Sequence, residues 1–127
     1  MLRARQPLLF LGLALLASCD GGVRVQRQGD PCTDSLVTLR VEVLDAQGAT
    51  VKDATVTATN VDTGHTITST TSDRGVTTAV NEDIGEGTVR LTATAGSKVS
   101  APAEVHWTCD DCHCHPEPAT VQLQLHP

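Results

Sequence analysis

Cysteine and histidine are concentrated in one short segment, His106 to His115, near the carboxyl end of the chain. Thiolates and imidazoles are ligands that zinc and Cu(I) prefer, and the Cys109-x2-Cys112 spacing is typical of half of a zinc site. The second pair of such a site is missing, and Cys112-x-Cys114 is too tight for both thiolates to bind one ion well. The same cysteines can form disulfides, so their chemistry depends on the compartment. A metal site here would use Cys109, Cys112, Cys114, His113 and His115.

The amino-terminal end of the chain predicts that compartment. Arg3 and Arg5 precede an apolar run from Leu8 to Ala17. This run is too short to span the roughly 30 Å hydrocarbon core of a bilayer, and it has the form of a secretory signal. Residues 1–18 are therefore predicted to be a signal peptide that is removed on export.

The end of this leader predicts a lipid anchor. Leu16-Ala17-Ser18-Cys19 resembles the lipobox of bacterial lipoproteins, in which the cysteine is acylated and becomes the first mature residue. The resemblance implies a diacylglycerol thioether on Cys19, usually with a third acyl chain such as palmitate, and two or three chains hold a protein on a membrane. An ordinary signal peptide that ends near a cysteine is the alternative. Asp20 resembles an inner-membrane retention signal of enteric bacteria, but because that rule varies among bacteria, the inner and the outer membrane both stay open.

Four cysteines follow Cys19, and an even number in an exported chain predicts two disulfides. Four cysteines allow three pairings, and a bond between Cys112 and Cys114 would be strained. We expect Cys32–Cys114 together with Cys109–Cys112, because Cys32 and Cys114 each lie shortly before a predicted strand. Those strands would bring the two cysteines together if they ran side by side in parallel. The alternatives are the metal site and, with less support, a thiol redox role.

Composition and charge narrow the possible partners. Removal of residues 1–18 leaves 109 of the 127 residues, enough for one domain. The leader carries two of the nine basic residues and none of the fifteen acidic ones, so the net charge changes from −6 to −8. Such a surface repels nucleic acid. The mature chain keeps one aromatic residue, Trp107, which argues against a sugar-binding face built on exposed rings.

Hydrophobic periodicity predicts an all-β domain. Residues 19–35 are predicted to be a flexible, lipidated tether, and residues 36–127 to be the domain, with a Cys-rich segment at 109–115. The domain is rich in Thr and Val, shows no convincing helical period, and reads as a single seven-stranded antiparallel sandwich. The polar run at 65–71 is predicted to be an edge or solvent-covered strand. The strands are expected near residues 39–44, 54–59, 65–71, 76–80, 88–95, 103–107 and 121–125.

The strand and turn signals occur in the order Val41 to Asp45, Gly48 to Val56, Thr63-Gly64, Thr71 to Gly75 and Gly87 to Ala95. This order resembles the carboxypeptidase regulatory-like domain over roughly residues 36–96, with Val121 to Leu125 as the last strand. The resemblance implies an immunoglobulin-like (prealbumin-like) or transthyretin-like sandwich with a binding, spacer or stability role and no catalytic residues. The family usually has an aromatic or large apolar residue after the Asp-x-Gly turn and a Tyr in the late strand, where this chain has Val76 and Val89 or Leu91. Immunoglobulin-like repeats of bacterial adhesins are a close alternative.

These observations predict a membrane-anchored envelope lipoprotein that acts as a non-catalytic binding or structural module. A periplasmic zinc- or copper-binding protein is the alternative. The sequence contains no nucleophile elbow, triad context, phosphate loop or calcium loop, so neither catalytic residues nor a cofactor are predicted. The expected partners are a membrane, through Cys19, and an unidentified envelope protein, with the domain in the periplasm or at the cell surface. His65, His126 and the pair Asp110-Asp111 are expected to be solvated surface groups.

Overall fold

Polar residues alternate with Val, Ala or Leu along the longer strands of a computed structural model that describes residues 32–127. The predicted leader, Cys19 and the tether up to residue 31 lie outside these described residues. In the run from Thr55 to Asn60, for example, each Thr is half-exposed and each residue between is buried, as β-branched residues on a pleated surface favour. The strands are β1 (Arg40–Leu44), β2 (Thr55–Asn60), β3 (Thr66–Thr70), β4 (Val76–Thr77), β5 (Gly87–Ala95), β6 (Lys98–Ser100), β7 (Ala103–Cys109), β8 (Cys114–Glu117) and β9 (Thr120–His126), with one 3₁₀ turn at Glu82–Ile84.

All nine strands belong to one hydrogen-bonded sheet that nearly closes into a barrel. The sheet divides at β5, because the first residues of β5 pair with β7 and its last residues pair with β6. The first branch runs β3-β2-β5-β7-β8, and every pair in it is antiparallel. The second branch continues from β6 through β9 and β1 to β4.

Aliphatic side chains from both branches fill the core. Sixteen apolar residues are buried, most of them Val, Leu and Ala, and Trp107 on β7 is the only aromatic residue among them. Val41, Val43 and Leu123 come from neighbouring strands of the second branch, while Val56 and Leu91 come from the first. The inner faces of the two branches therefore share one apolar core.

The all-β prediction is confirmed, but the strand count and the directions differ from expectation. Each of the seven predicted strands is present, and the described residues add two more, β6 and β8. The pairing of β9 with β1 is parallel, with Thr120 opposite Arg40, so the sheet is not antiparallel throughout. Residues 65–71 were predicted to form an edge or solvent-covered strand, and among the described residues β3 does lie at an edge, because it pairs there only with β2.

The turn between β3 and β4 depends on a glycine. Gly75, between β3 and β4, has a φ of 75°, and a Cβ atom there would lie 2.7 Å from the Cβ of Thr50. Glycine is therefore required by both the backbone angle and the space. Within residues 32–127, no helix is long and apolar enough to cross a membrane.

Candidate functional site

The Cys-His segment folds as a β-hairpin that joins β7 to β8. Cys109 at the end of β7 and Cys114 at the start of β8 are register partners, and a disulfide links them. The Asp110 carboxylate accepts hydrogen bonds of 2.8 Å from the backbone N–H groups of Cys112 and His113. These bonds, with that from His113 first, hold the pKa of Asp110 below its usual range. Asp110 thus closes the turn and is more than the surface charge that the sequence suggested.

Cys32 and Cys112 are disulfide-bonded as well, so all four of these cysteines are oxidised, as predicted. The predicted pairing was wrong, because Cys114 bonds to Cys109 and not to Cys32. The error has a structural reason. The pairing was expected because Cys114 lies shortly before the last strand, but Cys114 begins an additional strand, β8, directly opposite Cys109.

The histidines of the segment contact different residues. His106 shares a 3.1 Å hydrogen bond with Thr88, and His115 lies 3.4 Å from Asp110. His113 instead contacts Glu82 on the 3₁₀ turn. Among the residues that the structure describes, no three His, Cys, Asp or Glu side chains are grouped to hold a metal ion. Since the cysteines are oxidised, the metal-site alternative would require a reduced form with a rearranged segment.

Glu82 is the most highly connected carboxylate among residues 32–127, and sequence reasoning missed it. Its Oε2 accepts a 2.7 Å hydrogen bond from the Val37 N–H, and its Oε1 accepts one of 3.1 Å from the Cys114 N–H. His113 donates from Nδ1 to Oε2 at 2.9 Å. The Glu82 side chain is only 11% exposed, and its bond from Val37, ahead of those from His113 and Cys114, lowers its pKa in spite of the opposing effect of burial.

Glu82 therefore ties three distant parts of the chain together at the edge formed by β8. The local sequence does contain one signal, because Asn81 caps the 3₁₀ turn and its side chain accepts from the Asp83 N–H at 2.8 Å. That signal locates a turn start, as Asn commonly does. It does not indicate that the following glutamate reaches residues 37 and 114.

Threonines form a regular array on the outer face of the first branch. Three rows cross β3, β2 and β5: Thr70, Thr55 and Thr94; Thr68, Thr57 and Thr92; and Thr66, Thr59 and Arg90. We call the eight threonines of these rows the threonine face. They are half-exposed or exposed, and one cross-strand pair, Thr59 and Thr66, has hydroxyl oxygens 3.4 Å apart.

The rest of that outer face carries charge. Arg90 lies 3.5 Å from Glu104 on β7, with both side chains about half exposed. His106 and Glu117 are register partners farther along. The outer face of the first branch thus has an uncharged half at β3 and β2 and a charged half at β7 and β8.

The described residues offer surface features and no internal site. No cavity lies within residues 32–127. The exposed large apolar side chains, Leu36, Val61 and Val99, are about half exposed and lie in different parts of the fold, as is normal for a protein surface. Candidate binding surfaces are therefore the threonine face and the free edges of the sheet.

Comparison of the chain with models of protein families and with curated proteins finds no match. The family resemblance drawn from the sequence motifs therefore stays a prediction.

Proposed function

We propose that this chain is an exported bacterial lipoprotein, anchored to the cell envelope by an acylated Cys19, whose β-domain is a non-catalytic binding or structural module. The observation that carries the proposal is the oxidised state of all four described cysteines. Disulfides form and persist in oxidising compartments such as the bacterial periplasm. This agrees with the apolar leader and the lipobox-like Leu16 to Cys19 of the sequence.

The binding role is supported by the exposed surfaces of the first branch. The threonine face presents hydroxyl and methyl groups without charge, although the whole chain has a net charge of −6. An uncharged patch on an acidic protein allows another acidic protein to approach without repulsion at the contact. The interaction surface would therefore be the β3 and β2 side of the domain.

We also propose that the domain is an immunoglobulin-like sandwich related to carboxypeptidase regulatory-like domains. Two features support this relation: the seven strands expected from the motifs all occur, and the inner faces of the two branches share one core. An experimental structure tests it. Two separate facing sheets would support the sandwich, and an unbroken barrel would contradict it.

The anchor and the disulfides can be tested in one measurement. Intact and peptide mass spectrometry of the protein isolated from membranes without reductant should show a chain that begins at acylated Cys19. Alkylation before reduction should leave the four downstream cysteines unmodified, and alkylation after reduction should modify all four. A Cys19→Ala variant, which keeps the whole β-domain, should lose the acyl mass and keep the disulfides.

Other outcomes would contradict separate parts of the proposal. A mature chain that starts elsewhere and carries no acyl group would remove the anchor. Free thiols with a retained zinc or copper ion would favour the metal-binding alternative at Cys109, Cys112, Cys114, His113 and His115.

A further inference from the structure

Among residues 32–127, strand β3 pairs with β2 and with no other strand, so its other edge is free in that part of the chain and its backbone groups can be assigned. In an antiparallel pair, residues that exchange hydrogen bonds alternate with residues that do not. The Asn60 N–H donates to the His65 C=O at 2.8 Å, and the Thr71 N–H donates to the Ala54 C=O at 2.9 Å. Both of these residue pairs are therefore of the hydrogen-bonded type. Residues 67 and 69 then bond to β2. The N–H and C=O groups of residues 66, 68 and 70 point away from it.

Nothing in the sequence of β3 protects this edge. Natural sheets commonly block their edges with Pro, Lys, a bulge or a covering loop. Residues 66–70 read Thr-Ile-Thr-Ser-Thr, with neither charge nor Pro nor Gly. Thr66, Thr68 and Thr70 are exposed. On the inner side of β3, the Ser69 hydroxyl lies 3.0 Å from the Thr77 hydroxyl on β4.

The strand is also nearly the same when it is read in either direction. About Thr68 as the centre, Thr66 matches Thr70, and only Ile67 and Ser69 differ. A two-fold axis through Thr68 would set Thr66 opposite Thr70 of the second copy and Thr68 opposite itself. Because these are the residues with outward groups, all three pairs would be of the hydrogen-bonded type and would exchange roughly six hydrogen bonds.

We propose that β3 pairs antiparallel with β3 of a second copy of this chain, about a two-fold axis at Thr68. The pairing continues the threonine face across the seam, where threonines would be direct cross-strand neighbours, a favourable arrangement. The seam contains no ionisable side chain, so the acidic chains do not repel each other there. The inference deepens the proposed binding role and rests on it for its biological meaning, but it does not depend on the anchor.

The contact is short, so the expected dimer is weak. Five residues bury less surface than the roughly 1,200 Å² of a stable interface, and dissociation constants in the micromolar to millimolar range are expected. Attachment of both copies to one membrane would raise their effective concentration and favour pairing.

Sedimentation equilibrium and amide exchange of the full chain, isolated with its disulfides intact and kept in mild detergent, test the proposal. From about 5 μM to 1 mM protein, we expect a monomer–dimer equilibrium. We also expect the amide protons of Thr66, Thr68 and Thr70 to exchange quickly in dilute samples and slowly in concentrated ones. Thr68→Lys should weaken the dimer at least about tenfold, because two like charges would meet at the axis.

Two further variants keep the test interpretable. Thr68→Pro removes an outward N–H without removing a bond to β2, and it should weaken the dimer similarly while the domain stays folded. Thr57→Lys makes the same change on the register partner of Thr68, one strand inside the edge, and should leave the dimer intact.

Three results would overturn the proposal. One is a monomer throughout the concentration range. Another is a dimer that Thr57→Lys abolishes and Thr68→Lys does not, which would place the contact on the threonine face. The third is protection of the three amides only when a different protein is added. Loss of acyl mass on Cys19 would instead contradict the anchor and leave the oligomeric state unaffected.

Discussion

The two edges of the first branch are built in opposite ways. On β8, the hydrogen bond from Asp110 N–H to His113 C=O fixes the alternation, so the groups of Cys114 and Pro116 point outward. The N–H of Cys114 is bonded to Glu82, and Pro116 has no N–H. The outward donors of β8 are therefore used or missing, whereas β3 presents three such donors and no protecting residue.

This difference shows that the Cys-His segment has a structural role at one edge of the sheet. The cysteines and His113 suggest a reactive or metal-binding site when they are considered singly. In the fold they close one edge of the sheet, where a disulfide, a hairpin turn and the partly buried Glu82 carboxylate act on the same strand. The edge made of plain threonines is the one left able to pair.

The largest loss of stability is expected from removing the disulfide that links β8 to β7. A Cys109→Ala/Cys114→Ala double variant reopens a closed loop of about six residues, which should cost roughly 2 kcal/mol on the chain-entropy estimate. For a domain of this size, the melting temperature should fall by about 10 °C. Thermal unfolding without reductant measures the change.

The double variant also tests the pairing. Because Cys32 and Cys112 are disulfide-bonded in the wild-type structure, thiol titration of the folded variant should find no free cysteine. A Cys109→Ala/Cys112→Ala variant is the matched control, and it should leave two thiols or a scrambled bond. Free thiols in the first variant and none in the control would restore the pairing expected from the sequence.

Five of the seven strands that the sequence predicted have repeated buried positions, and β3 and β4 are the exceptions. The strand Thr120–His126 alternates exposed and buried residues along its whole length and was found from its pattern. Strand β8 has a single buried residue, Pro116, and β6 has only Ser100, so neither carries a hydrophobic period. The disulfide pairing failed for the same reason, since it depends on the register of a hairpin whose second strand has no pattern.

Substitution of Glu82 should cause the next largest loss of stability. Glu82→Gln keeps the shape but turns an acceptor oxygen into a donor, so one of the N–H groups of Val37, Cys114 or the His113 ring loses its partner. The melting temperature near pH 7 should fall by about 5 °C. Asp83→Asn removes the same charge one residue away, at an exposed position, and should cause little change.

The pH dependence of this variant has a definite sign. The folded state lowers the pKa of Glu82, so its ionised form stabilises the fold. That contribution is complete above the carboxyl pKa of the unfolded chain and is lost as the pH falls through the folded-state pKa. Between about pH 5 and pH 2, the melting temperature of the wild type should fall more steeply than that of Glu82→Gln. Parallel curves would contradict this assignment.

Glu82 could not have been predicted as a site residue. Its three hydrogen-bond partners lie at residues 37, 113 and 114, and only the folded chain brings them together. The threonine face, by contrast, follows from the sequence once the strands are known, because period-two alternation places Thr55, Thr57 and Thr59 on one side. What the sequence lacks is the register that aligns them with β3 and β5.

A smaller loss of stability should distinguish proline at the free edge of β3 from proline at a position bonded to β2. Thr68→Pro removes an outward N–H, whereas Ser69→Pro removes a bond to β2, so Ser69→Pro should be less stable by at least about 1 kcal/mol. Ser69→Ala corrects for the lost hydroxyl bond to Thr77. Urea unfolding of the three variants measures the difference. Equal losses for the two proline variants would reverse the assignment of the free edge.

The smallest effect is expected from Arg90, which interrupts the threonine face two strands inside the edge. Arg90→Thr breaks the 3.5 Å contact with Glu104, but both side chains are about half exposed, and exposed ion pairs contribute little. The new threonine also suits its position opposite Thr59. Stability should therefore change by less than about 0.5 kcal/mol, as measured by urea unfolding with Arg90→Lys as the control.

If β3 pairs through its edge, self-association should not change either, because Arg90 supplies no atom to that seam. Stronger association of Arg90→Thr would mean that the outer face is the contact surface, since that face alone becomes more uniform in this variant.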